Sequence, residues 1–201
     1  MNTAIYLIAA YLIGSISFAL VSSRLFGLAD PRTYGSGNPG ATNVLRSGNK
    51  NAALLTLIGD AAKGWVVVWL GMQYGVGWGV GSTAIAAGSL LVFVGHLWPV
   101  FSRFQGGKGV ATALGVLLGI SPCLGLMALA TWLFAAFIWR YSSLSAIVAA
   151  ILSPLYYGLM YGFNIQFVAV VAMSFLLLAR HAQNIGNLIK GKESRIGSKK
   201  N

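Results

Sequence analysis

Acidic side chains are the scarcest chemistry in this 201-residue chain, three Asp and Glu against fourteen Lys and Arg. So few carboxylates leave almost no conventional catalytic base. One cysteine, Cys123, excludes an internal disulfide framework and a cysteine-cluster metal site. The two histidines, His96 and His181, have no Cys, Asp or Glu near them in a triad or metal-ligand pattern, so metal-assisted hydrolysis and Ser-His-Asp chemistry find no parts. Charge of either sign is also sparse, at 8% of residues, where a soluble domain carries about 25%. A soluble globule is therefore excluded. The net charge of +11 invites a nucleic-acid reading, but an apolar fraction of 57% and a mean hydropathy of +0.74 are incompatible with a polar, lysine-rich binder.

What the chain has in quantity is long apolar runs. A hydrocarbon core of about 30 Å takes about 20 apolar residues as a helix, because lipid offers no partner to bare backbone groups. On that ruler seven segments emerge, at 3–21, 52–70, 83–101, 110–120, 124–139, 144–161 and 165–179. The expected fold is all-α, a single integral membrane domain over residues 1–201 built as a seven-transmembrane-helix bundle with one or two short helices. The stretch 110–139 can be one over-long helix or two short ones divided around Pro122, and proline favours division because it removes a helix hydrogen bond. The short fourth segment would rise about 16 Å, half-way across the core, and is expected to be buried by its neighbours. The 26 glycines suit close helix contact. No convincing internal repeat is visible, which disfavours a transporter made of two homologous halves.

The basic residues sort by parity. Arg24, Arg32, Arg46 and Lys50 follow the first segment, Arg103 and Lys108 the third, Arg140 the fifth, and Arg180, Lys190, Lys192, Arg195, Lys199 and Lys200 the seventh. Only Lys63 lies inside a segment. Seven crossings therefore put every flanking cation on one side, which reads as an amino end outside and a carboxyl end in the cytoplasm.

Three polar stretches fall on that cytoplasmic side. The first, GSGNPGATNVLR over 35–46, offers Ser36, Gly37, Asn38, Thr42 and Asn43 as hydrogen-bonding groups and Arg46 as a bidentate phosphate grip. The second runs from GHLWPVF, with His96, to FQGGKGVAT. Its Gly106, Gly107, Lys108 and Gly109 open the fourth segment, so backbone N–H groups at a helix start can surround phosphate oxygens while Lys108 supplies charge, with Thr112 one turn on. A Walker A loop it is not, since Gly109 stands where that motif has Ser or Thr. A glycine-rich turn with a cation for topology would look the same. The third stretch runs over 180–197, from Arg180 through HAQNIGNLIKGKE, and puts His181 and Asn184 on one helical face. Glu193 is read as ordering the tail against arginine or backbone groups. Asp60 and Lys63, three apart inside the second segment, are costly in lipid unless paired, and are read as a structural pair.

These stretches together resemble the three signature motifs of the bacterial acyl-phosphate:glycerol-3-phosphate acyltransferases, membrane enzymes of about this size, in the same order and at similar separations. Asp60 and Lys63-Gly64 also fit the family pattern, while Gly186-Asn187 departs from it where a basic residue is expected. The resemblance implies transfer of a fatty acyl group from acyl phosphate to the 1-hydroxyl of glycerol 3-phosphate, giving lysophosphatidic acid and phosphate, at a bacterial inner membrane. It implies catalytic roles for Ser36, Arg46, Lys108, His181 and Asn184, and binding roles for Gly37, Asn38, Thr42, Asn43, His96, Gly106, Gly107, Gly109, Thr112 and Glu193. The glycine-rich motif with Lys108 would hold acyl phosphate, and Ser36, Arg46, His181 and Asn184 would hold glycerol phosphate. Its partners are these two substrates and membrane lipid, with no cofactor, metal, nucleic acid or obligate protein partner implied.

An acyl phosphate is a mixed anhydride, so positioning and charge neutralisation can supply most of the barrier reduction without an acyl-enzyme. The hydroxyl proton goes to a substrate phosphate oxygen or to His181. The rival readings are a transporter of a small phosphorylated metabolite and a membrane scaffold. External links without charge speak against the first, and three anion-gripping stretches on one face against the second.

Overall fold

The computed structural model describes residues 3–197; Lys199 and Lys200 of the basic tail lie outside them. Among the described residues the chain forms ten α-helices and no strand. They are α1 (Thr3–Gly14), α2 (Phe18–Leu25), α3 (Ala41–Leu45), α4 (Lys50–Tyr74), α5 (Ser82–Leu97), α6 (Val110–Ile120), α7 (Pro122–Trp139), α8 (Ser142–Tyr161), α9 (Ile165–Arg180) and α10 (Ala182–Ile189). Four spans are each long and apolar enough to cross a membrane: α4, α5 with the turn after it, α7 and α8. Two bent pairs, α1 with α2 at 46° and α9 with α10 at 56°, raise the number to as many as six where each pair is one span. All seven apolar segments are helical, but α6 is too short to cross alone.

Local chemistry sets several boundaries. Asn49 caps α4 by accepting from Ala52 N at 2.9 Å, and Asn164 caps α9 by accepting from the backbone of Gln166 and Phe167 at 3.0 and 3.1 Å. Helix α6 ends at Ile120 and α7 begins on Pro122, with Ser121 in extended backbone between them. Proline is tolerated there because a first-turn N–H has no intrahelical acceptor to lose. The first segment breaks at residues 15–17, where Ser15 turns its hydroxyl back onto the Tyr11 carbonyl at 2.9 Å.

Helix α4 is the hub, packed against α6 most extensively and also against α2, α3 and α5. Its contact with α6 is backbone-close: a Cβ on Gly115 would come within 1.8 Å of the Ala61 carbonyl oxygen, and one on Gly64 within 2.4 Å of that of Thr112. Small residues are what permit such an approach where lipid removes the hydrophobic drive between helices. Helix α6 runs beside residues 61–68 of α4 and stops short of its end at Tyr74. Outward, α7, α8 and α9 present Phe134, Phe137, Leu155, Leu159 and Phe175, all exposed, as a lipid-facing surface. At the far end of α4, Trp69 meets Tyr74 edge-on at 5.9 Å and Tyr74 stacks on Trp78 at 5.5 Å, an aromatic girdle of the kind found at membrane interfaces.

Hydrogen bonds between distant residues fix which ends lie together. At the girdle end Thr3 Oγ1 donates to the Gly79 carbonyl at 3.3 Å. At the opposite end Thr42 and Ser142 share a hydroxyl bond of 3.2 Å, Ser143 donates to Glu193 at 2.6 Å, and Arg180 donates to the Gly106 carbonyl at 3.0 Å. All three polar motifs occupy that second end.

Candidate functional site

The first motif is a loop built around an inward-turned amide. Asn43, on the short helix α3, accepts from Ser36 N at 2.9 Å and donates to the carbonyls of Pro31 at 2.6 Å and Tyr34 at 3.2 Å. Both of its N–H groups are spent on backbone, and the residue is buried. Asn43, named from the motif as a binding group, shapes the loop that presents Ser36 and Gly37, which are exposed. Arg46 ends α3 and is exposed, its stem beside Gly35. Arg32 forks onto Asp30, with Nη2 at 2.6 Å from Oδ2 and Nε at 3.0 Å from Oδ1. That bond holds the Asp30 carboxyl below the usual carboxylate range.

The second motif leaves α5 at Trp98 and turns through two left-handed residues, Arg103 at φ 53° and Phe104 at φ 61°. Non-glycine residues in that region are uncommon and mark a backbone held by its surroundings. The chain then passes buried Gly106 and Gly107, and Gly109 at φ 85° starts α6. Arg180, at the end of α9, clamps this loop, donating to the carbonyls of Gly106 at 3.0 Å and Gly107 at 3.3 Å while its guanidinium lies 6.0 Å from the Trp98 ring. In the sequence Arg180 opens the third polar stretch but is not singled out as a site residue.

The third motif is the bend between α9 and α10. His181 sits in that bend, buried, with Nδ1 2.8 Å from the Leu177 carbonyl. A carbonyl only accepts, so Nδ1 carries the proton and Nε2 is left with its lone pair. Lys108 donates to Asn184 Oδ1, and Asn184 in turn donates to Glu193 Oε1 at 2.7 Å. Glu193 also takes the Ser143 hydroxyl at 2.6 Å, so side chains, and not the arginine or backbone groups expected, order it. The tail beyond is pinned to the α7–α8 turn by Ile196 N donating to Arg140 O at 2.6 Å and Arg195 Nε to Tyr141 at 3.1 Å.

The three motifs therefore converge. Burial pushes the Lys108 ammonium below its ordinary pKa, Glu193 opposes that shift, and the charges of Arg180 and Arg46 add to it. His181 lies within electrostatic reach of Lys108, Glu193 and Arg180. Beside this cluster a cleft of about 360 Å³ is lined by Arg32, Gly37, Pro39, Phe104, Gln105, Gly106 and Arg180. Two arginines and backbone of two motifs face one space, a setting for phosphate oxygens. Asn38 is half-buried in the first loop, and Thr42 bonds across to α8. Neither Arg32 nor Arg180 is marked by the sequence as a site residue, since what makes each useful is the approach of distant loops.

Asp60 and Lys63 pair at 2.8 Å with side chains only 3% and 2% exposed. The pair does not stand alone: Lys63 also reaches His96 Nδ1 at 3.0 Å. His96 is buried behind the loop, and Thr112 is fully buried where α6 meets Gly64. Both are named from the motifs as binding groups, and both are buried in the bundle, His96 where α5 delivers it to α4 and Thr112 where the first turn of α6 meets α4.

Comparison with known proteins gives a consistent result. The sequence model of the family described as Glycerol-3-phosphate acyltransferase matches residues 4–191. The chain is 62% identical over 200 residues to the glycerol-3-phosphate acyltransferase of Janthinobacterium sp. (strain Marseille), covering 100% of both. It is 62% identical over 200 residues to that of Herminiimonas arsenicoxydans, covering 100% of this chain and 98% of the other. Among solved structures it is similar to crystal structures of PlsY (YgiH), an integral membrane glycerol 3-phosphate acyltransferase. The glycerol 3-phosphate form superposes with a TM-score of 0.90 at 36% identity, over 97% of this chain and 96% of that one. The lysophosphatidic acid form gives 0.89 at 35% identity, over 97% and 95%.

Proposed function

The chain belongs to the glycerol-3-phosphate acyltransferase family and is an integral membrane acyltransferase, and from that premise we propose that its donor is an acyl phosphate and its site opens to the cytoplasm of a bacterial inner membrane. The observation that carries the donor assignment is the make-up of the convergent cluster. Arg46, Lys108, Arg180 and Asn184 meet there with a single acid, Glu193, whose Oε1 already accepts two hydrogen bonds. Such a site neutralises phosphate and has little with which to activate a poor leaving group. Acyl phosphate asks for no activation beyond that.

In this reading the glycerol hydroxyl attacks the acyl carbonyl carbon. The new ester C–O bond forms as the bond from that carbon to the phosphate oxygen breaks, and phosphate leaves against Lys108 and the backbone N–H groups of Gly106, Lys108 and Gly109, that of Gly107 being held by the His96 carbonyl. The hydroxyl proton passes to His181 Nε2, the free nitrogen of a ring held through Nδ1 by Leu177, or to the departing phosphate. Ser36, Arg46 and Asn184 hold glycerol 3-phosphate, with Gly37 and the cleft arginines beside them. The acyl chain lies along an apolar groove of about 430 Å³ lined by Ile58, Ala61, Ala62, Trp65, Leu118 and Pro122. Basic residues clustered at the motif end support a cytoplasmic orientation of that end.

The test is donor choice. Purified protein in lipid bicelles, given glycerol 3-phosphate, is expected to form lysophosphatidic acid from acyl phosphate with equimolar phosphate release, and to form none from the acyl thioester of coenzyme A. Transfer from the thioester at a comparable rate would overturn the donor assignment, and a trapped acyl-enzyme would overturn direct attack.

A further inference from the structure

Three polar side chains lie buried behind the loop at 106–109, where a bundle in lipid has no water to offer them. Asp60, Lys63 and His96 form this group. Every proton of the Lys63 ammonium has an acceptor: Asp60 Oδ1 at 2.8 Å, the Ile16 carbonyl at 2.7 Å and His96 Nδ1 at 3.0 Å. Nδ1 also lies 3.5 Å from Asp60 Oδ1, but with Lys63 charged against Asp60 the shorter contact is to an ammonium, which cannot accept, so the Nδ1 lone pair receives that bond and the ring proton sits on Nε2. Asp60 takes a further bond from Phe18 N at 3.4 Å.

A pair that merely held α4 would end there. His96 extends it to the loop: its carbonyl accepts from Gly107 N at 3.1 Å, and its Nε2 edge lies against Gly107. A Cβ on Gly107 would stand 2.3 Å from that Nε2 and 2.9 Å from the Pro39 carbonyl oxygen, so Gly107 is fitted between the His96 ring and the loop of the first motif. His96 is the next-to-last residue of α5, and Lys63 lies more than three turns into α4, which sets the loop well below the first residue of α4. Burying this much charge is a poor route to stability, since an apolar pair of similar volume serves as well or better. Ionisable groups at membrane depth are retained for function.

We propose that Asp60, Lys63 and His96 are positioning residues for the loop at 106–109: the buried pair holds the His96 ring in one tautomer and one orientation, and the Nε2 edge of the ring sets Gly107 against Pro39. The proposal rests on the reading that this loop holds a substrate phosphate. None of the three side chains touches substrate. They act through where they place Gly107 and Lys108.

The full chain, purified in bicelles, supports two tests. The first needs no variant. With only two histidines in the sequence, a ¹⁵N-histidine spectrum is expected to show two opposite neutral tautomers, Nε2–H for His96 and Nδ1–H for His181, the signals assigned by loss in His181→Gln. An Nδ1–H ring at His96 overturns the proposal. The second test is kinetic. His96→Asn keeps an acceptor for Lys63 but cannot reach Gly107, and Asp60→Leu with Lys63→Met replaces the ion pair by apolar bulk. Both are expected to melt within a few degrees of the unaltered protein while KM for a phosphorylated substrate rises at least tenfold, and His96→Gln, which reaches Gly107, is expected to recover part of the loss. Folded variants with KM and kcat within twofold of normal overturn the positioning role. An unaltered protein without acyl transfer counts against the substrate reading alone, because the tautomer measurement still decides the network.

Discussion

Arg180 donates to the carbonyls of Gly106 and Gly107 from the last turn of α9, so its removal frees two anchors of the loop. Hydrogen bonds from a charged donor are worth about 1.5–3 kcal/mol. Arg180→Ala is therefore expected to lower kcat/KM by roughly ten- to hundredfold, with Arg180→Lys intermediate because a point charge cannot bridge two carbonyls as a planar fork does. Steady-state kinetics on the two variants check this, and full kcat/KM retained in Arg180→Lys would contradict the fork. At this scale the sequence exposes Lys108, Asn184 and His181, because residue type and motif spacing mark them. It hides Arg32 and Arg180, whose value comes from loops that meet only in the fold. Asn43 is the opposite case: a polar residue inside a motif reads as a ligand group, yet the amide is consumed by three backbone partners of its own loop.

Helix α6 shows how an element too short to cross the bilayer is held. Its residues Val110–Ile120 agree with the apolar segment read from the chain, since Gly109 and Pro122 punctuate both ends. Less legible is the break in the first segment, where Ser15 and its neighbours bend α1 away from α2 without a proline to announce it. Because Gly115 lies against the Ala61 carbonyl, Gly115→Ala must push α6 off α4. Overpacking of this kind costs about 1–3 kcal/mol, and the expected outcome is a lower melting temperature with activity lost in parallel, read by thermal denaturation in bicelles. An unchanged melting temperature would mean that the two helices do not need this approach. The shift reaches the cluster around Lys108, because α6 begins where the loop at 106–109 ends.

For the whole molecule, the account is a bundle with two chemically different ends, one aromatic and nearly uncharged, the other basic and carrying all three motifs. Sorting charge along the sequence anticipates this polarity. The count of crossings is less accessible, since hydropathy sees α6 as a segment while its length of about 16 Å denies it a span of its own. A reporter fused after Asn201 is expected to read cytoplasmic, and one inserted in the turn Val76–Trp78 to read external; the reverse pattern would invert the orientation and place the site outside.

The central claim is that three distant motifs build one phosphate-binding site. A structure of the protein in bicelles with glycerol 3-phosphate and a non-hydrolysable acyl-phosphate analogue tests it most directly. The expected result is phosphate density within hydrogen-bond reach of Lys108 and Arg46, with the acyl chain entering the groove beside Ala62. Phosphate density at the aromatic end, or away from both Lys108 and Arg46, would contradict the account.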